Sequence, residues 1–163
     1  MWFVVLFQWL HVLLAIFWFG SVLYLNVILI PTILRLPIEQ QRAVTIPLGA
    51  FSDRILTPVS MLVILFGILR GTVFGQVQHV TRLLGTSYGR IFLAAALLTI
   101  GLACWGTFVS GRAAKHLNTI PLVNGGPTPA FTNQLQRVKM FVLLELVGFF
   151  IIFTLMILLG SGI

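Results

Sequence analysis

Four apolar stretches, at about residues 2–30, 55–75, 91–111 and 140–160, are each long enough to cross a bilayer, which takes about 20 residues of helix. No other feature restricts the possible folds as strongly. Hydrophobic residues make up 59% of the 163-residue chain and charged residues only 8%, with a mean hydropathy of +1.09. A soluble domain of this size cannot hide that much apolar surface. The expected fold is therefore all-α, an integral membrane four-helix bundle forming a single transmembrane domain over residues 1–163. The first stretch lacks a basic leader and exceeds the roughly 7–15 apolar residues of a signal peptide, so it is expected to be retained as helix one.

Within helix one, His11 interrupts the run WFVVLFQWLHVLLAIFWFGSVLYLNVILI. Polar groups inside a span are costly, so an intramembrane imidazole is a functional candidate by default. At 100° per residue, Gln8, His11, Ala15, Trp18 and Asn26 fall within an arc of roughly 80°. That stripe is expected to face protein or a cofactor. His11 then serves either as a hydrogen-bonding partner for another helix or as a haem or metal ligand.

At 1.5 Å per residue, the rising fourth helix places Met156 at about the depth of His11. Imidazole and thioether together can hold haem iron, so Met156 is a candidate second ligand. His79, in the connection near the same end, is another, and a histidine from a second copy of the chain is a third. Arg70, Arg82 and Arg90 lie at that end and could pair bidentately with carboxylates such as haem propionates, or simply snorkel. His116, beside Lys115, reads as a surface residue. Cys104 is the only cysteine, which excludes an intrachain disulfide, and it reads as a small packing residue.

The ten basic residues set the expected orientation. Arg35, Arg42, Arg54, Arg112, Lys115, Arg137 and Lys139 flank one end of the bundle, against Arg70, Arg82 and Arg90 at the other. Positive residues favour the cytoplasmic side, so both termini are expected outside, in the plasma (inner) membrane of a prokaryote. The net charge of +7 is then accounted for by the lipid bilayer as partner, with no nucleic acid involved.

Between helices one and two, LPIEQQRAVTIPLGAFSDR predicts a short interfacial helix broken at Pro47. The connection between helices three and four carries a turn signal, Asn124-Gly125-Gly126-Pro127. Glu145 is the one acid deep in a span. It is expected to form an ion pair with Arg54, Arg112 or Lys139; for the competing role, a proton-relay carboxylate, a second titratable group deeper in the bundle would be expected, and none is evident in the sequence.

Two segments carry a resemblance. His11 followed by Trp18-Phe19-Gly20 and Leu23-Tyr24-Leu25, and Arg54-Ile55-Leu56-Thr57-Pro58 with Met61 and Gly67, resemble the first two helices of the superfamily that includes HemJ-type protoporphyrinogen oxidases and the CopD copper-resistance domain. The resemblance covers about half the chain. It implies haem b ligated by His11, with redox chemistry or electron transfer to a quinone or another membrane acceptor. Helix three, SYGRIFLAAALLTIGLACWG, has no histidine or lysine in the span, where the family enzyme has a basic residue and further histidines. An accessory electron-transfer role therefore ranks ahead of protoporphyrinogen oxidation. Copper handling of the CopD type is the alternative, and a non-catalytic subunit of a larger membrane complex a third reading. A homodimer is compatible with each.

Overall fold

A computed structural model describes residues 2–75, 77, 79–123 and 126–161. Among them are four helices long and apolar enough to cross a membrane: α1 (Trp2–Ile33), α2 (Ile38–Gly71), α4 (Ser87–Thr119) and α5 (Pro129–Gly160). A short helix, α3 (Val80–Gly85), lies between α2 and α4. This is an integral membrane four-helix bundle. Its outer surface is apolar, with Trp2, Phe3, Phe51 and Phe153 all exposed. An outward apolar surface suits a chain whose solvent is hydrocarbon.

Local sequence explains where the helices start and bend. Thr86 caps α4 by accepting from Gly89 N at 3.0 Å. Thr128 caps α5 from Phe131 N at 3.3 Å, with Pro129 in the first turn, where its missing N–H costs nothing. Two π-helical turns widen the long helices, Leu25–Leu29 in α1 and Trp105–Ser110 in α4. The first precedes Pro31, which cannot donate to the carbonyl four residues back; the Asn26 side chain donates to Val22 O at 2.7 Å in the same region.

The break expected at Pro47 does not occur: α2 runs unbroken through both Pro47 and Pro58. Contacts to the far end of α4 account for the difference. Arg42 donates to Ile120 O and lies 5.8 Å from the centre of the Phe131 ring. Thr45 Oγ1 is 3.5 Å from Asn118 Oδ1, and Asp53 pairs with Lys115 at 2.8 Å. Residues 42, 45 and 53 share one face of a helix. Tertiary contacts along that face keep the helix continuous against the proline's local preference.

Asn124 and Gly125 lie outside the described residues, while Val123 and Gly126 exchange backbone bonds of 3.3 and 2.9 Å on either side of them.

The core draws on every spanning helix: Trp18 and Val22 from α1, Val63 from α2, Leu102 from α4 and Phe149 from α5. Trp18 meets Phe149 edge to face, with ring centres 4.8 Å apart, a favoured aromatic geometry. Gly148 lets α5 approach α4, since a Cβ there would lie 2.7 Å from Leu102 Cδ1. Close packing at small residues is a main source of helix association in lipid. This central layer separates two cavities, one toward each end of the bundle.

Candidate functional site

The cavity at the His11 end, of about 180 Å³, is lined from α1, α2, α4 and α5, with Gln8, His11, Arg70, Tyr88, Thr99 and Met156 among its walls. Antiparallel neighbours bring together the start of α1, the end of α2, the start of α4 and the end of α5. His11 and Met156, matched in depth by counting residues, thus line the same space.

The His11 ring is oriented by the backbone. Its Nδ1 lies 2.9 Å from Val63 O. A carbonyl only accepts, so Nδ1 carries the proton and donates. The lone pair is therefore on Nε2, the state in which imidazole ligates a metal. Gly67, one turn beyond Val63, makes room for the ring: a Cβ at that position would lie 2.9 Å from His11 Cε1 and 3.3 Å from Nδ1.

Arg70 lines the same cavity from the last turn of α2. Its Nε is buried and has no hydrogen-bond partner. Among the described residues the ion pair is Lys115 with Asp53, and no described Asp or Glu side chain pairs with Arg70. A buried guanidinium nitrogen without an acceptor is costly, and a carboxylate-bearing ligand would satisfy it.

The other sequence-predicted residues lie elsewhere. Trp18 is in the central core and lines the second cavity instead. Arg82 and Arg90 are exposed and do not line the His11 cavity, nor does His79, an exposed residue that heads α3. His116 is exposed, with Thr119 Oγ1 3.4 Å from its Nδ1. The Cys104 thiol belongs to an exposed residue.

Val63, Gly67, Tyr88 and Phe92 were not assigned to the site from sequence. One signal was present: Gly67 and Gly71 form a small-xxx-small pair on α2, a pattern that marks close helix approach. The Phe92 ring occupies the space a Cβ at Gly71 would need.

The second cavity, of about 90 Å³, is lined by Asp53, Thr57, Ser60, Gly106, Thr107 and Glu145, together with core residues. The ion pair expected for Glu145 is not formed. Arg54, Arg112 and Lys139 are exposed, and the Arg112 guanidinium lies over Phe108, 5.4 Å from the ring centre. These cations keep their hydration at the helix ends rather than entering the bundle.

Comparison with known proteins finds no matching family model, no matching curated protein and no matching solved structure. Among the described residues, no three of His, Cys, Asp and Glu gather where they could hold a metal ion.

Proposed function

We propose that this protein binds haem b in the membrane and serves electron transfer, with a quinone or another membrane acceptor as partner. The observation that carries this reading is the His11–Val63 hydrogen bond, which holds the imidazole with Nε2 as its lone-pair nitrogen. His11 and Met156 are the residues that would hold the haem iron. Arg70 would satisfy its buried Nε on a propionate. Haem would supply a one-electron redox centre; the protein would supply ligation, an apolar surround and a counter-charge.

The donor set fits haem better than bare copper. A porphyrin brings four nitrogens and asks the protein only for axial ligands, whereas a copper site built here would rest on His11 and the Met156 thioether. At about 180 Å³ the cavity is smaller than the 300–1,000 Å³ of pockets that enclose drug-sized ligands. Iron held between His11 and Met156 would put the centre of the macrocycle in this space, so the helices lining it would have to part to admit the ring.

The test is the oxidised and dithionite-reduced absorption spectrum of the detergent-purified protein, with haem quantified as the pyridine haemochrome. A b-type spectrum that disappears in His11→Ala is expected. Haem retained in His11→Ala would overturn the ligand assignment. A colourless wild-type protein would overturn the haem reading and leave copper handling or a non-catalytic subunit role.

A further inference from the structure

The cavity around Glu145 has no part in the haem reading, yet it gathers two of the chain's three acids, Asp53 and Glu145. Its remaining polar walls are the hydroxyls of Thr57, Ser60 and Thr107. The space, about 90 Å³, is well above the roughly 10–15 Å³ that a single water needs. Ser110 gives a second observation: it is only 7% exposed, and its hydroxyl lies against the Glu145 carboxyl. Gly106 lets that carboxyl lie against the π-helical turn, since a Cβ there would be 2.9 Å from Glu145 Oε1.

We propose that Glu145 is a proton-exchange site, loaded and unloaded through this polar cavity from the aqueous phase at the Asp53–Lys115 end of the bundle. Asp53 both lines the cavity and reaches the surface, where it pairs with Lys115 at 2.8 Å. A proton passes from hydronium at that rim, through cavity water, to a Glu145 carboxylate oxygen; hydronium becomes water and the carboxylate becomes a carboxylic acid. Release runs the same steps backwards, and no electron moves.

The geometry suits a group that changes charge. A permanently ionised Glu145 would call for a fixed cation, and among the described residues none lies within ion-pair distance. A permanently neutral one would not need a polar route to the surface. The charged groups facing it can be named helix by helix. From α2 there is Asp53, with Lys115 of α4 behind it. The π-helical turn of α4 contributes only Gly106, Thr107 and the Ser110 hydroxyl, and α1 contributes the un-ionised Trp18 and Val22.

The chain has two glutamates, Glu39 and Glu145, and Glu39 is exposed in the first turn of α2. The full-length protein, labelled with δ-¹³C-glutamate and reconstituted in lipid vesicles, therefore gives two carboxyl signals by solid-state NMR, with Glu39 as internal reference. The Glu145 signal is expected to titrate reversibly. Asp53→Asn removes a facing negative charge and should move the Glu145 midpoint down, whereas Lys115→Ala should move it up. The Glu39 signal should be the same in both variants as in the unsubstituted protein.

A Glu145 signal that keeps one protonation state across the whole pH range of the folded protein would overturn the proposal. A midpoint unmoved by both substitutions would overturn the Asp53 route. Neither measurement requires haem, so failure of the haem reading and failure of this one are distinguishable.

Discussion

The His11 ring is fixed by one hydrogen bond and by the side chain that Gly67 lacks. That makes Gly67→Ala a sharper probe than deletion of the imidazole. The added Cβ displaces the ring from Val63 O while leaving every ligating atom in the chain. Losing one part-buried hydrogen bond is worth about 1 kcal/mol, or about fivefold in affinity. Weaker haem retention of at least that size is expected by titration, with the protein still folded; unchanged affinity would mean that ring orientation is unimportant. Arg70→Gln should weaken binding by roughly 10- to 100-fold, the range for a lost charge-assisted bond, and should leave the visible spectrum, which reports the axial ligands, in place. His11 could be found in the sequence because an imidazole stands out in an apolar run. The carbonyl that orients it could not, because every residue has one and only tertiary packing chooses Val63.

Between helices, the balance shifts from hydrogen bonds to shape. Gly148 and Gly101 are both helical glycines, but a Cβ at Gly148 would press on Leu102, whereas at Gly101 it would meet nothing within 4 Å. Gly148→Ala should therefore destabilise the bundle by about 1–3 kcal/mol through overpacking. Gly101→Ala should be neutral or stabilising by up to about 1 kcal/mol through helix propensity. Thermal unfolding in one detergent compares them, and equal shifts would contradict the packing described. The spans themselves were legible from apolar length. The extension of α2 through Pro47 was not, because it depends on Arg42, Thr45 and Asp53 meeting residues more than 60 positions away in sequence. Likewise, the expected partner for Glu145 followed from counting cations at the correct end, and exposure kept those cations out of the bundle.

For the whole molecule, the two cavities give the bundle a direction. The layer of Trp18, Val63, Leu102 and Phe149 separates a cavity holding His11 and Arg70 from one holding Asp53 and Glu145. Which compartment each faces depends on insertion, and the ends carry unequal charge: seven Lys and Arg flank the Glu145 end and three the His11 end. That bias favours insertion with the Glu145 end in the cytoplasm and both termini outside. Reporter fusions at either terminus should therefore give active alkaline phosphatase and dark green fluorescent protein, and the opposite pattern would reverse the orientation. The result also fixes the source of any proton reaching Glu145. With the termini outside, it comes from the cytoplasm, while a redox centre on His11 would lie in the outer half of the membrane; with the termini inside, both directions reverse. Fusion topology thus decides whether proton exchange and electron transfer, each tested on its own, work from the same side of the membrane or from opposite sides.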